Sequence, residues 1–263
     1  MVKRGGRALL VVGLSVAAVF GGRLALLFVT MFAAAAAAGE LYRLLRAPGV
    51  HPAVGVGHAA IVALLVVGYA RGTRAPVSFP FAIAGALFLS FVVLLLRRER
   101  ANVTRATAAT LIPVVTVGLP AAYLVSMRSE GGGYRVAWVF FVIAFACEIG
   151  ALTVTWAFRR RALTPRARRT GEHLAGAVAG AVVAAVVAVA GASPPFTWAR
   201  ALVLGAVVAV VITTGDLAWA AIEEDLARAE PAVKRPRAVV LPRIGGALLS
   251  APVFFYVFRV LVS

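Results

Sequence analysis

The chain is 263 residues long, 62% hydrophobic and only 14% charged, with a mean hydropathy of +0.95. A soluble domain carries about 45–50% apolar and about 25% charged residues, and no core of this size could bury so much apolar surface in water. With 27 Lys+Arg against 10 Asp+Glu, the composition excludes a soluble globular enzyme, a disordered tail and a disulfide scaffold, and leaves an all-α polytopic membrane protein.

A spanning helix needs about 20 predominantly apolar residues. Nine runs qualify: Ala8–Phe20, Leu24–Gly39, Pro52–Tyr69, Val77–Leu96, Ala108–Val125, Tyr134–Phe158, Leu174–Val189, Ala199–Ile222 and Ile244–Val262. The first is short and follows Lys3-Arg4, a layout that a signal peptide shares. No A-x-A cleavage site precedes Arg23, so it is read as a span, joined to the next by the Gly21-Gly22 pair. The Ala33–Ala38 run in the second reads as a tightly packing helix face. The whole chain, 1–263, is expected to form one membrane-embedded domain, with N-terminal helices over 1–130 and the polar motifs over 131–263.

The arginines and lysines orient this bundle. With nine spans and the N-terminus inside, 20 of the 27 fall on inside segments and 7 outside, a strong positive-inside bias. The expected location is the cytoplasmic membrane. The basic residues sit between apolar runs, where topology and anionic headgroups account for them, so no nucleic-acid partner is expected. The two longest polar connections, Arg159–His173 and Glu223–Arg243, both fall on the cytoplasmic side.

Acidic residues are few enough to weigh singly. Glu40, Glu99 and Glu130 lie at helix ends or in loops beside arginines and read as solvated charges paired with them. Glu223, Glu224, Asp225 and Glu230 read as a solvated cytoplasmic helix ahead of Lys234-Arg235-Pro236-Arg237. Glu148 stands apart, about ten residues and hence about 15 Å from the cytoplasmic end of its span. A carboxylate at that depth faces a partner or a watery cavity; function and a hydrogen-bonded structural Glu both remain open. Asp216 lies near the cytoplasmic end of the eighth run. Glu172 precedes the seventh, where the helix dipole alone would favour it. His51 and His58 read as structural, and Cys147 as a small buried residue. No H-x-x-x-H, CxxC, Walker-type or GxSxG motif is present, which argues against zinc hydrolases, P-loop ATPases and serine hydrolases.

Three stretches together resemble the phosphatidate cytidylyltransferase (CDP-diacylglycerol synthase) family. Ala146-Cys147-Glu148-Ile149-Gly150-Ala151 stands where the family reads Ser-Asp-Thr-Gly-Ala-Tyr, followed by Arg159–Arg161 and Leu163-Thr164-Pro165. Arg168-Arg169-Thr170-Gly171-Glu172 stands where it reads Lys-Lys-Thr-Trp-Glu. Gly215-Asp216-Leu217 matches Gly-Asp-Leu, and Leu241-Pro242-Arg243-Ile244-Gly245-Gly246 then Ala251-Pro252-Val253 is similar to Leu-Pro-Gly-His-Gly-Gly and Ala-Pro-Val. Glu40-Leu41-Tyr42-Arg43-Leu44 looks like the family's Glu-Phe-x-Arg-Leu. The chain departs from the pattern at Glu148 (Asp in the family), Gly171 (Trp), Arg235-Pro236 (Lys-Asp) and Ile244 (His), and the Asp-Arg-x-Asp segment is missing.

The resemblance implies transfer of CMP from CTP to phosphatidate, giving CDP-diacylglycerol and pyrophosphate in phospholipid biosynthesis. It casts Asp216, Glu148 and Glu172 as the catalytic acids, and Arg168, Arg169, Arg235, Arg243, Gly245 and Gly246 as the substrate-phosphate site. Mg²⁺ is the implied cofactor, with Glu148 and Asp216 as its ligands, one ion rather than two because the distal carboxylates are gone. The expected partners are the bilayer, phosphatidate or another anionic phospholipid, CTP, and a second copy of the chain in a homodimer. The alternatives are a catalytically degenerate relative that binds anionic lipid or a membrane partner, and a transporter with Glu148 as its ion site.

Overall fold

A computed structural model describes residues 20–46, 49–97, 102–130, 134–158, 175–184, 187, 197–229 and 240–262. Its regular elements are helices throughout. In chain order they are α1 (Arg23–Leu45) and α2 (Val54–Arg71, continued by a 3₁₀ turn Gly72–Val77). Next come α3 (Phe79–Leu96), α4 (Val103–Met127) and α5 (Tyr134–Phe158). The last three are α6 (Ala175–Ala184), α7 (Trp198–Ala229) and α8 (Leu241–Val262).

Seven of these, all but α6, are long and apolar enough to cross a membrane. The sequence leads to nine spans. Of the other two, Ala8–Phe20 lies outside the described residues except for Phe20, and the Leu174–Val189 run is described as a helix over Ala175–Ala184. The surface agrees with a lipid environment: Phe32, Phe81, Phe88, Leu95 and Leu96 all point outward, each more than half exposed. In a bilayer every backbone donor and acceptor must be paired within the helix, and these side chains meet acyl chains instead of water.

Small residues and internal hydrogen bonds hold the bundle together. Ala34, Ala37 and Ala38 are buried on one face of α1, as a close-packing alanine run should be. One turn further, the Tyr42 hydroxyl donates to the Thr110 carbonyl at 2.8 Å, while Thr110 Oγ1 accepts from the Ala53 amide at 2.9 Å. Gly57 makes room for that tyrosine, since a Cβ there would lie 2.7 Å from the Tyr42 ring carbon Cζ. His58 sits beside the same ring, with Nδ1 3.0 Å from the Val54 carbonyl oxygen. In α4, Pro113 and Pro120 flank a π-helical turn over Val114–Gly118. Each proline lacks an amide donor and crowds the preceding turn, so the ladder widens there instead of breaking.

The end of the bundle that carries Arg23, Tyr69, Arg128, Tyr134 and Arg259 is knitted by arginine–aromatic contacts. Arg23 lies over the Tyr69 ring and bonds its carbonyl, Arg128 over Tyr134, and Arg259 over Phe255. Glu130 is paired with an arginine, as expected, but it is buried and not solvated. Its side chain is only 10% exposed and sits 3.9 Å from Arg259. Burial raises its pKa against the opposing pull of Arg259, and burial likewise lowers that of Arg128, with Arg23 adding to the effect. The loop folds this carboxylate under the end of α8, which its position among arginines did not reveal.

Candidate functional site

α7 and α8 form the most extensive helix pair in the bundle, and glycine sets their separation. Thr213 and Thr214 turn their hydroxyls back onto the Ala209 and Val210 carbonyls, at 2.8 and 2.9 Å. Gly215 then presents bare backbone: a Cβ on it would lie 3.0 Å from Gly246 Cα. From the other side, a Cβ on Gly246 would lie 2.7 Å from the Ile212 carbonyl oxygen and 3.0 Å from the Asp216 carboxyl carbon. A Cβ on Gly245 would lie 2.6 Å from Trp219 Cδ1. Asp216 is therefore half-buried in a seat whose opposite wall is the Gly245-Gly246 backbone. Trp219, one turn further, is buried, and its Nε1 has no hydrogen-bond partner among the described residues.

Glu148 is half-buried on α5, between buried Cys147 and Gly150. α6 crosses α5 at this level with backbone against backbone. A Cβ on Gly150 would lie 2.9 Å from the Gly180 amide nitrogen, and one on Gly176 2.7 Å from Ala151 Cα. α6 also meets α7, where a Cβ on Gly205 would lie 3.1 Å from the Ala181 carbonyl oxygen. The short helix thus bridges the helix of Glu148 and the helix of Asp216.

A third acid belongs to this end of the molecule, and the sequence reading misplaced it. Glu40, taken as a solvated charge, reaches from α1 to the start of α8. Its Oε2 accepts from the Val240 amide at 2.8 Å and the Leu241 amide at 3.0 Å. Backbone amides carry no sequence signature, so no residue pattern marks this contact.

The remaining sequence candidates divide plainly. Gly245, Gly246 and Asp216 come together, and Glu148 lies on α5, which packs against α7. Glu172, Arg168, Arg169 and Arg235 lie outside the described residues. Arg243 falls in the first turn of α8, and its side chain is outside the described set. Among the described residues no three His, Cys, Asp or Glu side chains are grouped to hold a metal ion. A cage drawn from the described residues alone therefore does not fit. A Mg²⁺ site of one or two carboxylates completed by substrate phosphates and water asks for fewer protein ligands, and the Asp216 carboxylate in its glycine-walled seat suits it.

The model of the cytidylyltransferase family matches residues 2–225. The chain belongs to this family. The match takes in Glu40, Glu148, Glu172 and Asp216, and it ends before the Gly245-Gly246 pair, so the α8 half of the Asp216 seat is seen from the fold. As a cytidylyltransferase family member, the protein places its Gly-Asp pair on the helix that packs most tightly against its C-terminal helix. Comparison with curated proteins gives no match.

Proposed function

We propose that the protein transfers CMP from CTP to a lipid phosphate, phosphatidate in the first instance, at the cytoplasmic face of the cytoplasmic membrane. The observation that carries this reading is the family match across Asp216, taken with the glycine-walled seat that holds that carboxylate. In the reaction a phosphate oxygen of phosphatidate bonds to the α-phosphorus of CTP, and the bond to the α–β bridging oxygen breaks. Pyrophosphate leaves and CDP-diacylglycerol remains in the bilayer.

Each step asks for charge compensation and alignment more than for covalent help. Asp216, with Glu148, would hold Mg²⁺ against the triphosphate, and the bound ion would supply neutralisation of its charge. Arg168, Arg169, Arg235 and Arg243, all on inside segments, suit the phosphates because a guanidinium forks onto two oxygens at once. Gly245 and Gly246 are packed against Trp219, Ile212 and Asp216 of α7, so they act by seating Asp216 and not by lying open to a phosphate. The acyl chains stay in the bilayer while the headgroup meets CTP at its edge.

Purified protein in nanodiscs, given CTP, phosphatidate and Mg²⁺, is expected to release pyrophosphate. Asp216→Asn removes the charge with little change in volume and should lower the rate by a factor of roughly 100 or more, given the several kcal/mol such electrostatic groups supply. No pyrophosphate above background with any nucleotide or lipid phosphate would leave a lipid-binding relative as the better reading. Equal rates for both proteins would refute the role of Asp216.

The orientation is tested separately. With the N-terminus inside, a cysteine engineered at Arg166 should react with an impermeant maleimide from the cytoplasmic side alone. Labelling only from outside would overturn the topology and, with it, access to cytoplasmic CTP.

A further inference from the structure

Glu40 spends a half-buried carboxylate on two backbone amides 200 and 201 residues away. We propose that it is a positioning residue: by gripping the start of α8 it seats the Gly245-Gly246 pair against Asp216. The consequence for turnover rests on the function proposed above, and the geometric claim stands without it.

The physical argument starts from the helix end. The first amides of a helix have no intrahelical acceptor. In α8 the second residue is Pro242, which has no amide to offer, so the donors at this end are few. Glu40 takes two of them through a single oxygen, Oε2. Its charge also lies at the positive end of the α8 dipole, where an anion is favoured. The grip therefore comes from α1, a helix that does not otherwise carry the Asp216 seat.

What the grip controls lies one turn further along. Gly245 and Gly246 follow Leu241 by four and five residues, about 6–7.5 Å along the axis. Both positions are intolerant of error, because a Cβ at Gly246 would lie 2.7 Å from the Ile212 carbonyl oxygen and one at Gly245 2.6 Å from Trp219 Cδ1. A slip of α8 by one residue turns it about 100° and would bring Ile244 or Ala247 against the Asp216 face. Either side chain would push α7 and α8 apart. Fixing the depth and rotation of the first turn therefore fixes the wall of the Asp216 seat.

A cap that served stability alone would behave differently. Its loss would lower the melting temperature and leave the turnover of the folded fraction unchanged. A positioning role moves the seat itself. Trp219 reports on that seat directly, because its indole packs on Gly245.

The test uses the full chain in nanodiscs, labelled with ¹⁵N-tryptophan. There are 4 tryptophans, hence four indole signals, and Trp219→Phe assigns the one of interest. Glu40→Ala is expected to shift the Trp219 signal and leave the signals of Trp138 and Trp198 in place. Turnover of the folded protein should fall about tenfold or more, as misplacement near a reacting centre does, with most of the loss in kcat. Glu40→Gln keeps an oxygen acceptor and should return both readouts part-way to wild type. An unmoved Trp219 signal in Glu40→Ala overturns the proposal. So does a moved signal with wild-type kcat. If wild-type protein releases no pyrophosphate, the proposed function fails on its own account, and the indole signal then decides the positioning claim.

Discussion

Gly246→Ala is expected to separate α7 from α8 and to eliminate turnover. The added methyl would lie 2.7 Å from the Ile212 carbonyl oxygen and 3.0 Å from the Asp216 carboxyl carbon. Ile212 contributes backbone, which cannot rotate away as a side-chain tip can. Overpacking of this kind costs roughly 1–3 kcal/mol and sometimes more, and a backbone contact belongs at the upper end. Thermal unfolding in detergent should show a lowered midpoint, and the residual folded protein should release no pyrophosphate because Asp216 has been displaced. Gly85→Ala is the matching control. It adds the same methyl in α3, where nothing lies within 4 Å, and alanine is the better helix former by about 1 kcal/mol. That variant should melt at or slightly above wild type. If the two variants melt alike, the α7–α8 seat is looser than its geometry requires.

The contrast between these two glycines shows what the sequence can and cannot disclose. The spans were legible because a bilayer imposes a length and a hydropathy, and each helix satisfies its own backbone. The C-terminal end of α7 was not. The charged run Glu223-Glu224-Asp225 reads as a solvated helix beyond the end of a span at Ile222, and it proves to be part of the same helix, α7, which continues unbroken from Trp198 to Ala229. Glutamate is a good helix former, and nothing at Ile222 breaks the ladder, so the helix carries on past the apolar stretch. Asp216 could be picked out as an acid near the end of a span, and Gly245 and Gly246 by their resemblance to the family's Gly-Gly motif. Glu40 and Glu130 could not be placed, because what decides their environment is distant in sequence. Glu40 is bound by backbone amides of α8, and Glu130 is covered by the last turns of the same helix, including Arg259. Burial of a carboxylate by a remote element leaves no trace in its local sequence.

One crossing does leave such a trace. Gly176 and Gly180 are four residues apart, the spacing that lets two membrane helices touch backbone to backbone. In the structure they bring α6 onto α5 at the level of Glu148, opposite Ala146, Gly150 and Ala151. Lipid tails are as apolar as leucine, so nothing squeezes these helices together except contact itself. The crossing should then depend steeply on side-chain size.

Gly180→Ala follows as the second large effect. Its methyl would lie 2.6 Å from the Ala146 carbonyl carbon and 3.0 Å from Cys147 Cα, against backbone once more. The expected cost is about 3 kcal/mol, at the top of the overpacking range, and it should appear as a lower unfolding midpoint. A second consequence is specific to this location. Displacing α6 removes the element that joins the Glu148 helix to the Asp216 helix at the Gly205–Ala181 contact. Turnover per folded molecule should therefore fall as well, even at temperatures where the variant is fully folded. Val178→Ala, on the exposed side of the same helix, shortens a side chain without touching α5 and should leave both the midpoint and the rate close to wild type. A Gly180→Ala protein that melts like Val178→Ala would show that α6 does not hold α5 by this crossing. One that melts lower yet keeps the wild-type rate would show that the crossing supports the fold but does not set the relation of Glu148 to Asp216.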